Sequence, residues 1–143
     1  MEAFSIVAAF RKKGEAPSTE KRSLGLRFKA NARQTLGLRY EAVARRDLIS
    51  RGYSILKTNW HWGWAEIDIL AEKPAHLLVV EVRGKISPRF RPSRVLSLAK
   101  KKRLIRVANV VCRRYRRSTR IELIEIIGVP ERGKVFHYEI TED

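Results

Sequence analysis

The segment His76–Val82, HLLVVEV, is apolar at consecutive positions instead of alternate ones. A strand that begins apolar on both faces is covered on both faces, which is the signature of a central strand. The rest of the chain supplies elements to cover it. Tyr40, Val43, Ala44 and Leu48 recur at helical spacing, and Gly52 ends that run. YSILKTNW then alternates as a first strand, HWGW turns, and AEIDILA forms a second strand. A short connection through Lys73 and Pro74 leads into the central one.

SPRFRPS follows as a basic loop, and Pro92 is placed to open a long helix reaching about Arg117. Leu104, Val107, Ala108, Val111, Cys112 and Tyr115 make the apolar stripe of that helix. RIELIEIIG reads as a fourth strand, ERGK as a turn and VFHYEI as a fifth strand. The order helix, three strands, helix, two strands predicts an α/β fold: a mixed sheet flanked by helices. At 143 residues the chain has the size of one compact domain, and 44% hydrophobic residues suffice for its core.

Residues 1–35 stand apart. Their polar stretch, RKKGEAPSTEKRS onward, is basic and weakly patterned, and it reads as a flexible arm preceding a domain over 36–143. The opening MEAFSIVAAF is apolar but short, without a leading positive charge or clear cleavage site, so it does not read as a signal peptide. No apolar run is long enough to span a bilayer, and no membrane partner is expected. Cys112 is the one cysteine, so no disulfide framework or cysteine-rich zinc site forms within the chain. A reducing compartment, the cytoplasm, is the expected location.

The formal net charge is +16, which predicts a polyanionic partner. Its distribution is informative. Residues 82–121 contain no Asp or Glu, yet they hold fifteen Lys or Arg: Arg83, Lys85, Arg89, Arg91, Arg94 and ten more from Lys100 to Arg120. A solvated helix ordinarily mixes both signs. A block of one sign is the electrostatic footprint of a phosphate-tracking surface. The bland alternative is a generic basic face on an RNA- or ribosome-associated protein.

Carboxylates sit inside the apolar strands, where charge is costly unless paired. Strict alternation would put Glu66 and Asp68 on one face and Ala65, Ile67, Ile69 and Ala71 on the other. On the central strand, Glu81, Arg83 and Lys85 share a face. If these strands pair, acidic side chains meet. Hard oxygen ligands facing phosphates suggest Mg²⁺, which polarises phosphoryl oxygens and activates water. The competing reading is salt bridging of Glu66, Asp68 and Glu81 to nearby Lys and Arg.

Asp68, twelve residues, then Glu81-Val82-Arg83 resembles the PD-(D/E)xK nuclease core. GLRYEAVARRDLISRGYSIL, Asn59, WAEIDILAE, LLVVEVRGK, the Lys100 helix, TRIELIEI and VFHYEI, in that order, resemble the YraN family over about residues 36–140. These are small bacterial proteins of restriction-endonuclease-like fold, similar to archaeal Holliday-junction resolvases. The resemblance implies Glu41 as the first-helix acid, Asp68 and Glu81 as metal ligands with Glu66 beside them, and Mg²⁺ or Mn²⁺ as cofactor. It implies cleavage of DNA phosphodiesters, branched DNA included. RNA stays open as a partner, and neither oligomeric state nor a protein partner is legible.

Two departures stand out. Ala65 replaces a glycine of the family pattern. Arg83 replaces the motif lysine, and a guanidinium does not lose its proton as an amine can. Arg83 can orient water or stabilise negative charge, but it cannot act as a general base. Lys85 lies on the same strand face roughly 6.5–7 Å further on, and a bulge at Gly84 would bring it closer. The same pattern read without cleavage gives the alternative function, a nuclease-fold module that binds DNA or RNA. Lys85, Arg89, Arg91, Lys100, Lys101 and Arg103 are the candidate phosphate contacts, Lys100 foremost; Lys100, Lys101, Lys102 and Arg103 wrap around the helix and cannot all face one ligand. Trp60, Trp62 and Trp64 either pack over a sheet edge or stack on unpaired bases, with packing favoured. His61, His76 and His137 show no metal-ligand spacing.

Overall fold

The computed structural model of the chain describes residues 20–87, 89 and 96–142, with side chains from residue 31 onward. The first helix, α1, spans Glu20–Ser50. Tyr40, Ala44 and Leu48 stack one above another at four-residue spacing and are fully buried, with Leu36 and Val43 packed beside them. Gly52 closes the helix at φ +91°, a conformation a side chain would strain. Its N–H donates to the Ile49 carbonyl while the Tyr53 N–H donates to that of Leu48.

Residues 20–35 of the expected arm are helical. The sequence gives no apolar stripe there, and residues 31–35 are all exposed. Extending an existing helix fixes one residue per hydrogen bond, so the docked turns from Leu36 onward propagate the helix toward its N-terminus.

The strands are β1 (Ser54–Trp62), β2 (Ala65–Lys73), β3 (His76–Lys85), β4 (Thr119–Ile127) and β5 (Lys134–Ile140). They form one mixed sheet in the order β1-β2-β3-β4-β5. β3 and β4 are parallel and the other neighbours antiparallel. The parallel step needs a crossover, supplied by the second helix, α2 (Leu98–Tyr115). β3 is central, as its continuous apolar run predicts. Leu78, Val80 and Val82 enter the core under α1 together with Ile69, Ala71, Ile124 and Ile126. Leu77 and Val79 enter the core under α2 with Leu70, Leu104, Val107, Ala108, Val111 and Ile121. The expected helix–three strands–helix–two strands order is thus observed, as a mixed sheet with a helix on each face.

The helix expected from Pro92 to Arg117 is shorter at both ends. Ser97 caps it, its hydroxyl accepting the Lys100 N–H at 3.3 Å. Arg116 ends it in the left-handed conformation, φ 51°, with its N–H on the Cys112 carbonyl. Pro92 and Arg91 lie outside the described residues. Cys112 is only partly buried. The HWGW turn is also tighter than expected, because His61 and Trp62 belong to β1 and only Gly63 and Trp64 turn.

The bulge at Gly84 is not formed. β3 pairs with β4 without a register shift through Arg83↔Glu125, Gly84↔Ile126 and Lys85↔Ile127. The glycine serves close packing instead. A Cβ there would stand 2.2–2.4 Å from three atoms of the Tyr40 ring. That ring lies flat against the strand because its hydroxyl donates to the Gly128 carbonyl at 2.8 Å. Burial pushes the Tyr40 phenol up to about 12, so it keeps its proton and this bond. Gly84→Ala should therefore lower stability by about 1–3 kcal/mol through overpacking, read as a lower urea midpoint at unchanged slope. An unchanged midpoint would show that Tyr40 is not held against β3.

Candidate active site

The site starts from one residue with an unusual backbone. Asn59 sits in the middle of β1 at φ +46°, a left-handed conformation that asparagine tolerates better than most side chains. The flanking pairs Thr58↔Ile69 and Trp60↔Ile67 keep one register across it. Side-chain alternation does not survive the twist. Ile69 and Ala71 face α1, whereas Ala65 and Ile67 face α2. The expectation that these four share a face is therefore wrong. Glu66, between Ala65 and Ile67, turns to the α1 side, where its Oε1 lies 3.6 Å from Nε2 of His61, its cross-strand partner.

Asp68 lies at the slip. The β2–β3 ladder runs from Lys73↔His76 to Ile69↔Val80 and stops there. One step further the same register sets Asp68 opposite Glu81. Asp68 Oδ2 accepts the backbone N–H of Val82 at 2.8 Å, in place of a strand carbonyl. The carboxylate thus satisfies a backbone donor that the parting strands leave unmet, and the charge-assisted bond fixes its position. Asp68 is 1% exposed and Glu81 2%.

Glu81 faces α2. Lys100 Nζ stands 3.5 Å from its Oε1, and an Arg103 guanidinium nitrogen 3.9 Å from its Oε2. Burial raises the Glu81 carboxyl above its ordinary range, against the pull of Lys100 and Arg103. Burial also lowers the Lys100 ammonium, to about 8; Glu81 opposes this while Arg83 and Arg103 add to it. From the other face α1 brings in Glu41, fully buried, whose Oε2 accepts from the Asn59 amide at 2.8 Å. Asn59 lies between Thr58↔Ile69 and Trp60↔Ile67, at the level of Asp68 in the β1–β2 register.

Of the sequence-derived residues, Asp68 and Glu81 lie at adjacent register positions and Lys100 and Arg103 approach Glu81, while Glu41 bonds Asn59 and Glu66 lies near His61. Arg83 follows Glu81 on β3 as the pattern requires and is in register with Glu125. Glu125 is fully buried and was missed. Its signal was present: a lone carboxylate inside the apolar run of β4, the argument that singled out Glu81. Lys85 and Arg89 are exposed beyond the gap, and Lys101 is half-buried on α2.

Among the described residues no three His, Cys, Asp or Glu converge to hold a metal ion. The pair Asp68 and Glu81 nevertheless fits Mg²⁺, which keeps several waters and is bound through one or two carboxylates plus substrate phosphates.

An αβββαββ order with carboxylates at adjacent positions of β2 and β3, and a cation two residues after the second, defines a mixed-sheet α/β protein with a buried acidic pair. The model of "Uncharacterised protein family UPF0102" matches residues 40–126, and the chain belongs to that family, the YraN family of the sequence reading. A UPF0102 protein of Phocaeicola vulgatus is 33% identical over 95 residues, covering 64% of this chain and 78% of that protein. One from Aquifex aeolicus is 40% identical over 92 residues, 64% and 82% covered. Among solved structures, the Holliday junction resolvase Hjc of Archaeoglobus fulgidus is similar at a TM-score of 0.46 with 18% identity, covering 74% of this chain and 83% of that one.

The Asp68–Val82 bond has a structural role separable from chemistry. Asp68→Ala should cost about 1–3 kcal/mol by stranding a buried N–H, whereas Asp68→Asn keeps an acceptor and should cost less. Urea denaturation of both variants checks the ranking. Equal stabilities would mean that the bond does not hold the gap.

Proposed function

We propose that this chain is a nucleic-acid-binding protein of the PD-(D/E)xK nuclease superfamily and a divalent-metal-dependent DNA endonuclease, with branched DNA among its substrates. The observation that carries this reading is the buried pair Asp68 and Glu81 at the β2–β3 gap, with the Lys100 amine against it. Asp68 and Glu81 would hold Mg²⁺ or Mn²⁺. The ion, when bound, supplies Lewis-acid polarisation of the phosphate and a more acidic water. Asp68 accepts the Val82 N–H, and Glu41, held by Asn59, would stand by from α1. Lys100 approaches Glu81 at 3.5 Å and would contact a phosphate oxygen. Arg83 offers fixed positive charge for the developing negative charge, without proton transfer.

The surface supports a polyanion as partner. Lys85, Arg89, Lys102, Arg113, Arg114, Arg116 and Arg120 are exposed in a sequence block free of acids. Residues 1–35 add eight Lys or Arg against three Glu, so this proposed arm contributes further phosphate contacts. No helix among the described residues is long and apolar enough to cross a membrane, and the proposed setting is the cytoplasm.

One observation favours a second reading. Both Glu81 oxygens face cations of α2. A carboxylate neutralised in that way leaves a module that binds nucleic acid without cutting it.

Incubation with branched and linear DNA in Mg²⁺ or Mn²⁺, read on a denaturing gel, separates the two. Arg83→Lys should raise cleavage at least about tenfold, or create it, and tenfold is about 1.4 kcal/mol of barrier. Asp68→Asn in the same background should abolish the gain. Cleavage by the unaltered protein that falls in Arg83→Lys would make arginine the working residue. Binding without cleavage by either would favour the module.

Affinity should also fall steeply with salt. Lys100→Ala should weaken all sequences alike and flatten the slope of log K against log salt by about 0.7–0.9. Affinity insensitive to salt would remove the electrostatic basis of the proposal.

A further inference from the structure

The three tryptophans of the β1–β2 hairpin divide into two roles. Trp60 and Trp62 lie ring against ring, centroids 5.2 Å apart, and Tyr115 approaches Trp60 at 6.4 Å. Both pack against the core under α2, which is the edge packing expected of them. Trp64 does not join. It is 62% exposed at the turn. One contact orients it: the Arg106 guanidinium carbon lies 5.5 Å from its ring centroid.

Arg106 follows Lys100 and Arg103 at three-residue steps, so the three lie along one flank of α2. That flank runs from Glu81, which Lys100 and Arg103 approach, to Trp64 at the hairpin tip. Trp64, in the turn just before β2, precedes Asp68 by four residues, roughly 13 Å of extended chain. An exposed indole backed by a guanidinium, on an acid-free helix, supplies what an unpaired nucleotide needs: a π face for the base and positive charge for the phosphate. The absence of any Asp or Glu from residue 82 to 121 matches a polyanion.

We propose that Trp64, backed by Arg106, is a stacking platform for an unpaired base of DNA, a few nucleotides from the Asp68–Glu81 pair. The inference rests on the DNA reading above and adds the substrate class: DNA in which unpaired bases adjoin a duplex. Bases within a duplex already stack on each other and offer the indole no face. The platform therefore discriminates for gaps, forks and single strands while the cationic flank binds any phosphate backbone.

The test is a set of anisotropy titrations of the full chain at fixed salt. The ligands are a blunt duplex, the same duplex with a gap, the single strand, and an RNA single strand of equal sequence. Trp64→Ala should weaken binding to the gapped and single-stranded DNA about five- to a hundredfold and leave the blunt duplex within about twofold. Trp64→Phe, which keeps a ring, should retain most of the affinity, and Arg106→Ala should lie between. A cooperative melt of each variant shows that the fold is intact.

Equal losses on duplex and single strand, no loss on either, or a loss confined to RNA would each overturn the platform. Unaltered protein that binds none of the DNAs would overturn the DNA reading with it. Unaltered protein that binds them all, with Trp64→Ala silent, would remove the platform alone.

Discussion

A carboxylate doing the work of a backbone carbonyl is the interaction on which the site depends. β2 and β3 part after Ile69↔Val80, and Asp68 bridges the gap by accepting the Val82 N–H. Without an acceptor that donor would be buried and unmet at the centre of the sheet. The donor in turn offsets part of the desolvation cost of the buried carboxylate. Each solves the other's problem, and together they hold two strands apart at the one place where both carry acids. Of the other buried acids, Glu81 faces Lys100 and Arg103 of α2, and Glu41 of α1 accepts from Asn59 of β1. The docking of both helices is thus tied to the polar gap as well as to the apolar layers on either side of it.

The layers were legible in the sequence because they depend on burial, and burial leaves a pattern. The doubly apolar run of β3, the four-residue spacing in α1 and the stripe of α2 each predict the observed packing. The lapse of alternation between Ile67 and Ile69 on β2 was not legible in this way. Strict alternation is a rule for a regular strand, and β2 departs from it opposite the left-handed Asn59 of β1 while the β1–β2 register is kept. Asn59 was visible only as part of a family resemblance; its tolerance of positive φ was the physical clue. Gly84 was misread because a glycine in a strand signals either a bulge or a close approach, and only the Tyr40 ring decides between them.

The positive block reads differently once its members are sorted by contact. Arg117 donates to Glu72 and to the Lys73 carbonyl, fastening the end of α2 to the β2–β3 turn. Lys100 and Arg103 face Glu81. These cations were counted toward a phosphate-tracking surface, yet part of their charge is spent inside the fold. A sequence count cannot separate the two uses, because both place Lys and Arg where acids are absent nearby in sequence. Glu72 and Glu81 lie outside the block and reach it only through the fold.

The same sorting bears on why an arginine at position 83 is compatible with this fold. Arg83 stands in register with Glu125 on the adjacent parallel strand, and Glu125 is fully buried. A permanently charged, planar guanidinium suits a place beside a buried acid better than an amine that sheds its proton when desolvated. The amine in this site comes from α2. Lys100 reaches Glu81 from the helix, and burial with Arg83 and Arg103 nearby brings it down to about 8. The strand position and the helix position have therefore divided two properties that a single strand lysine would combine: fixed charge at Arg83 and a titratable amine at Lys100. Lys85, held two residues away by unbroken pairing to β4, contributes neither at the gap and remains on the exposed rim.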